Sequence, residues 1–161
     1  MLKTKIAVFV SGGGTNFEAL INAQENGKIP HGEIVLMVSS SKTAYALKRA
    51  ENHGIKSVVC SKKELGSQEK FEEEILKNLE ENDIQLIVLA GFMSILSNEF
   101  TKKYENRIIN IHPSLIPSFC GEGFYGLHVH EAALKKGVKV TGATVHIVNE
   151  IPDGGPIIMQ K

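Results

Sequence analysis

The chain of 161 residues is of single-domain size and long enough to bury a core. Its 18 basic and 18 acidic side chains cancel, so no net positive field drives nonspecific binding to nucleic acid or to an anionic membrane. Apolar residues at 42% and charged residues at 22% are globular values, and two cysteines, Cys60 and Cys120, are too few and too separated for a disulfide framework or a zinc knuckle.

The first segment, MLKTKIAVFVSGGG, holds an apolar stretch of only five residues, Ile6 to Val10, before glycines intervene. That predicts a strand over 4–10 rather than a signal peptide. Further strands are expected near 33–39, 56–60, 84–90 and 107–111, with helices near 15–26, 43–53 and 67–82 between them. Such alternation means a parallel sheet. The strand IQLIVLA is continuously apolar, as expected where helices cover both faces. In QEKFEEEILKNLEEN, Phe71, Ile75 and Leu79 recur at spacing four along one helix face, and the charges form a solvated face.

After residue 112 the pattern changes to a long loop, a short helix near 128–137, the alternating strand VTGATVHIV, a PDGG turn and a last apolar run, PIIMQ. An antiparallel or mixed extension is expected there. The fold class is α/β: a Rossmann-like three-layer sandwich, mostly parallel, helices on both faces, with that C-terminal extension. No apolar run reaches the length that a bilayer requires, and a soluble protein in a reducing cytoplasm is expected.

SGGGTN, residues 11–16, follows the first strand and opens the first helix, so backbone N–H groups could face an anion that the glycines let approach closely. It is neither a Walker loop nor a full dinucleotide fingerprint, because Phe17 stands where the third glycine belongs. Ser39, Ser40 and Ser41 end the second strand without the acid that would grip an adenosine ribose, which favours a monophosphate over NAD. The alternative is a tight turn with Thr15 or Asn16 as helix cap.

In NIHPSLIP, residues 110–117, Asn110 and His112 fall on one side of a strand and Ile111 on the other, and Pro113 then interrupts the ladder. SGGGTN, the loop after LAGFM and HPSLIP would all follow strands of a parallel sheet, and ligands of open α/β sheets bind at that carboxyl edge. The alternative for His112 is a histidine held by hydrogen bonds in the sheet. A carboxylate nearby would orient the imidazole and favour its charged form. Asp153 in the PDGG turn is the candidate, with Gly154 and Gly155 supplying permissive backbone angles; the alternative is an exposed aspartate supporting the turn. HEAAL lacks the second histidine of a zinc-protease helix, and His128 and His130 read as polar residues at a helix entrance. Ser114 lies outside any nucleophile elbow, and Cys120 is a possible thiol with no local base.

Taken in order, SGGGTN, the A-x-x-L-x-R-A-x-x-x-G-I pattern at 44–55, VLAGFM at 88–93, INIHPSLIPSF at 109–119 and DGGPII with Gln160 resemble the phosphoribosylglycinamide formyltransferases, a branch of the folate-dependent formyltransferase family. The resemblance implies transfer of a formyl group from the co-substrate 10-formyltetrahydrofolate to the amine of glycinamide ribonucleotide in purine biosynthesis, without a metal. It implies a cytoplasmic enzyme, monomer or homodimer, whose partners are small molecules rather than nucleic acid or membrane. Carried over by position, Asn110, His112 and Asp153 match the catalytic trio, and Gly14, Thr15 and Asn16 match the phosphate contacts. Gln68, Met93, Ser94, Ile95, Leu96, Asn110, Asn149, Glu150, Ile151, Pro152 and Asp153 match folate-contacting positions.

The same comparison marks departures. Gln68 and Ser94 stand where the family often has arginine, the 118–127 loop is longer than the common form, and 1–161 would be one formyltransferase domain lacking the family's last C-terminal segment. Two other functions fit parts of the pattern: a 10-formyltetrahydrofolate hydrolase presenting a similar trio to water, and a noncatalytic nucleotide-phosphate binding module built on SGGGTN alone.

Overall fold

TKIAVFV forms β1 (Thr4–Val10), which pairs in parallel with β2 (Gly32–Ser39) on one side and β4 (Leu86–Leu89) on the other. The computed structural model describes residues 2–161, which divide into one unit running through Ser97 and a second spanning Asn98–Lys161. In the first unit β3 (Lys56–Val59) adds in parallel to β2, giving the order β3-β2-β1-β4. Ile6, Val8 and Val10 pack with Phe17 and Ile21 of α1 (Thr15–Glu25) and with Ala46 and Ala50 of α2 (Ala46–Asn52). The intervening Ala7 and Phe9 are equally buried. The sheet is therefore covered on both faces, the three-layer α/β arrangement expected for continuously apolar strands.

The helix expected from residue 43 begins at Ala46, because Ser41 Oγ accepts from the backbone N–H of Thr43 at 3.3 Å and pairs with Thr43 Oγ1 at 3.0 Å. Local side-chain bonds of this kind compete with helix initiation. Two short helices escape a periodicity reading because each is too brief to show a period: α3 (Lys62–Leu65) and, in the second unit, α5 (Asn98–Lys103).

Between them lies α4 (Gln68–Glu81), whose Ser67 cap accepts from Lys70 N at 3.2 Å. Phe71, Ile75 and Leu79 are fully buried along its one apolar face, each contributing about 1.5–3 kcal/mol. Not every charge on α4 is solvated. Glu72 is 8% exposed, and its carboxylate accepts from Gln68 Nε2 at 2.6 Å, Ser97 N at 2.6 Å and Ser97 Oγ at 2.5 Å. Gln68 Nε2 also donates to Ile95 O at 3.0 Å, so α4 holds the 93–97 segment that follows β4. Glu72→Ala is expected to lower unfolding free energy by about 1–3 kcal/mol in urea titration, since it strips these half-buried donors of their acceptor. Glu73→Ala on the exposed side should stay within about 0.5 kcal/mol of wild type.

The second unit carries β5 (Ile108–His112), α6 (Leu127–Lys136), β6 (Thr144–Ile147) and β7 (Ile157–Gln160). β6 lies antiparallel to both β5 and β7, as the change of pattern after residue 112 implies. α6 stops at Gly137, whose φ of 74° suits a residue without a side chain, with Lys135 and Lys136 in the last turn. The strand expected from Val140 shortens to Thr144–Ile147, because Val138 and Val140 are exposed and the alternation there has no face to bury. Thr144 Oγ1 donates to Ser114 O at 2.7 Å and accepts from Ile116 N and Gln160 Nε2, each at 3.0 Å. These bonds fix the HPSLIP segment, in which the Ile116–Pro117 bond is cis.

Candidate active site

In the first unit, the loop after β1 turns into α1 through Gly14, which is buried with φ 71° and caps the helix without a side-chain hydrogen bond. The capping alternative for Thr15 and Asn16 is thus not taken up. Both are exposed, and the N–H groups of the first turn keep their capacity for an acceptor. Residues 12–16 line a cavity of about 280 Å³ together with Val10, Ser11, Ala90, Gly91 and Met93. Two of the three expected segments meet there. Ser11 N donates to Gly91 O at 3.0 Å, and Ser11 Oγ accepts from Met93 N at 2.8 Å while pairing with Ser40 Oγ at 2.6 Å. Met93 and Ile95 are exposed, at 56% and 80%. Ser94 and Leu96 are half-buried. Gln68 spends its amide nitrogen on Glu72 and Ile95, so it shapes this segment from below.

In the second unit, β5 places Asn110 and His112 on one face while Ile111 is 38% exposed on the other. The antiparallel pairing sets Asn110 opposite His146 and His112 opposite Thr144. Asp153 joins them from the PDGG turn. Its Oδ2 lies 3.5 Å from His112 Nδ1 and accepts from Gly121 N at 2.9 Å, and its Oδ1 lies 3.5 Å from His146 Nε2. His112 Nε2 donates to the Phe119 carbonyl at 2.8 Å, which leaves the imidazole between two acceptors.

The turn achieves this differently from the sequence expectation. Asp153 itself takes the left-handed φ of 54°, a region that Asp tolerates better than most residues. Gly154 and Gly155 instead provide room, since a Cβ on Gly155 would stand 1.8 Å from Ile147 O. Asn149 Oδ1 accepts from Ile151 N at 3.0 Å and shapes the approach to the turn, while Glu150, Ile151 and Pro152 are exposed.

The carboxylate and the second imidazole titrate in opposite directions. Burial raises Asp153, but the bond to His146, the Gly121 N–H and the nearby His112 bring it net below the ordinary carboxylate value. Burial lowers His146, and the Asp153 carboxylate and the Ile147 carbonyl carry it net above the ordinary histidine value. A lowered acid adds stability that is present above its unfolded pKa, near 3.9, and is lost as pH falls through its folded one. A raised base adds stability that is present below about 6.5 and is lost as pH rises through its folded one. The melting-temperature difference between wild type and Asp153→Asn should therefore be widest from roughly pH 4 to 6.5 and narrow on either side. A difference that stayed just as wide below about pH 4 and above about pH 6.5 would contradict the pairing.

His146 is the member of this cluster that the sequence reading passes over. It sits inside an ordinary alternating strand, and only its pairing across from Asn110 reveals it. Ser114 Oγ donates to Ser118 O at 2.5 Å and is fully buried, a structural role. Burial and then the Asp153 charge push the Cys120 thiol up, away from the thiolate that a nucleophile needs. His128 pairs with Glu131 on the exposed side of α6, at 3.5 Å. Among the described residues no group of three or more His, Cys, Asp or Glu is placed to hold a metal, and no helix is long and apolar enough to cross a membrane.

Comparison with known proteins agrees with this architecture. The chain is 39% identical over 156 residues to the phosphoribosylglycinamide formyltransferase of Haemophilus influenzae, covering 97% of this chain and 71% of that one. It is 47% identical over 159 residues to the trifunctional purine biosynthetic protein adenosine-3 of Gallus gallus, covering 99% of this chain but only 15% of the chicken protein. The crystal structure of phosphoribosylglycinamide formyltransferase from Bacillus halodurans superposes with a TM-score of 0.89 at 40% identity, over 98% of this chain and 78% of that one. With the formyl transferase model matching residues 4–161 as well, the chain belongs to the formyl transferase family.

Proposed function

We propose that the protein transfers the formyl group of 10-formyltetrahydrofolate to the amine of glycinamide ribonucleotide, a step of de novo purine biosynthesis in the cytoplasm. The observation that carries this reading is the cluster in the second unit: Asp153 within 3.5 Å of two histidines, with Asn110 on the same strand face as His112. The names of the relatives and the phosphate-ready turn at Gly14, Thr15 and Asn16 support the choice of substrate. Met93 to Leu96 and Asn149 to Asp153 are the segments assigned to folate.

The amine lone pair adds to the formyl carbon, and the carbonyl electrons move onto oxygen. Asn110 and His112 donate hydrogen bonds to that oxyanion as it forms. Collapse of the adduct breaks the bond to the folate nitrogen. The attacking amine gives up a proton and the departing nitrogen gains one, with the Asp153 carboxylate beside the path. His112 Nε2 is committed to Phe119 O in the unliganded chain, so the substrate oxygen takes the place of that carbonyl. Phe119 is held at φ 49°, a conformation costing a bulky residue roughly 1–3 kcal/mol, and its release offsets part of the exchange.

The test is to incubate the protein with a 10-formylfolate, with and without glycinamide ribonucleotide, and to follow formyl loss. Loss only in the presence of the amine is the expected result. Loss without it would make the protein a hydrolase, and no loss with retained phosphate binding would make it a binding module.

A further inference from the structure

We propose that His146 is a positioning residue: its charged ring takes the carboxamide oxygen of Asn110 and so turns the Asn110 NH2 outward, as the donor that the oxyanion needs. The inference rests on the transfer reading above, and it concerns a residue outside the trio.

His146 is 2% exposed, and both its ring nitrogens are accounted for. Nδ1 lies 2.9 Å from the Ile147 carbonyl, which can only accept, so Nδ1 carries a hydrogen. Nε2 faces two groups, Asn110 Nδ2 at 3.2 Å and Asp153 Oδ1 at 3.5 Å. The charge on that carboxylate is shared, since its other oxygen faces His112 Nδ1 at 3.5 Å.

Two arrangements satisfy these distances. With a bare Nε2, the ring accepts from Asn110 Nδ2, but its lone pair confronts the carboxylate and the amide oxygen of Asn110 is left toward the reacting carbonyl. An oxyanion would be repelled there. With a hydrogen on Nε2, the ring donates toward Asp153, and the end of Asn110 that faces it must be oxygen, because two donors would otherwise oppose. The ends of a carboxamide have nearly the same shape, so a half-turn of the amide exchanges them without repacking. Only the second arrangement turns both N–H bonds of Asn110 away from His146 and its amide oxygen away from the oxyanion. The raised pKa of His146, where the carboxylate outweighs burial, leans the same way.

The amide orientation can be read without any turnover, by following the ring nitrogen resonances of His146 through a pH titration of wild type and Asn110→Ala. If Asn110 accepts from the charged ring, its removal lowers the proton affinity of His146, by roughly fivefold for one hydrogen bond. An unchanged or raised affinity overturns the proposal. In the transfer assay, His146→Leu should lower kcat at least tenfold with both KM values within about threefold, and His146→Gln, which restores an N–H donor, should recover most of the loss. A His146→Gln enzyme as slow as His146→Leu, or a loss confined to KM, would also overturn it. Wild-type protein that transfers no formyl group refutes the transfer reading instead, while the titration still decides which way Asn110 faces.

Discussion

Asp153→Asn and His112→Ala are each expected to slow formyl transfer by on the order of a hundredfold or more, with little change in the far-UV spectrum. The two variants fail for different reasons. His112→Ala would remove a donor from the proposed oxyanion and leave Phe119 O without its 2.8 Å partner, so the 118–121 segment should loosen as well. Asp153→Asn keeps an oxygen for the Gly121 N–H, but it replaces a charge shared by His112 and His146 with a neutral amide that can accept from only one of them. Its effect should fall on kcat, with substrate KM values close to wild type. Near-normal turnover in either variant would remove that residue from the mechanism.

Gly14→Ala has the second large effect, and it acts first on folding. The φ of 71° is left-handed, which costs a residue with a side chain roughly 1–3 kcal/mol. The added Cβ would also stand 2.8 Å from Ala46 Cβ and 3.1 Å from Ala46 Cα, where α2 begins, and such overpacking costs a further 1–3 kcal/mol or so. A loss of about 2–6 kcal/mol in urea unfolding is expected, together with weaker binding of the ribonucleotide phosphate. Gly13→Ala provides the control, since its Cβ would meet nothing within 4 Å and its φ is not left-handed. It should stay within about 1 kcal/mol of wild type.

The parallel part of the fold is legible in the sequence because β1, β2 and β4 are largely buried and read as mainly apolar runs: KIAVFV, EIVLMV and IQLIVLA. The period of α4 is equally plain through Phe71, Ile75 and Leu79. What escapes is set by distant partners. Glu72 reads as one more charge on a solvated face, and only the return of the chain at Ser97 makes it a buried acceptor. Asn110 and His112 stand out through their spacing, and Asp153 through its turn. His146 does not, because a polar residue in an alternating strand carries no local mark of what lies opposite. The glycines after Asp153 point to the correct turn but for the wrong reason, as crowding is invisible without the Ile147 carbonyl against which Gly155 packs.

The pairing of Asn110 with His146 across β5 and β6 also limits how the chain can change in length. One residue added inside 108–112 or 144–147 would turn each following side chain to the opposite face, exchanging the amide or the ring for an aliphatic neighbour. Beyond Gly121, whose N–H is spent on Asp153, the 122–127 stretch bears no such constraint, because lengthening a surface loop adds only a logarithmic closure entropy. Viable descendants of this chain should therefore gain and lose residues in that loop while the two short strands keep their length to the residue.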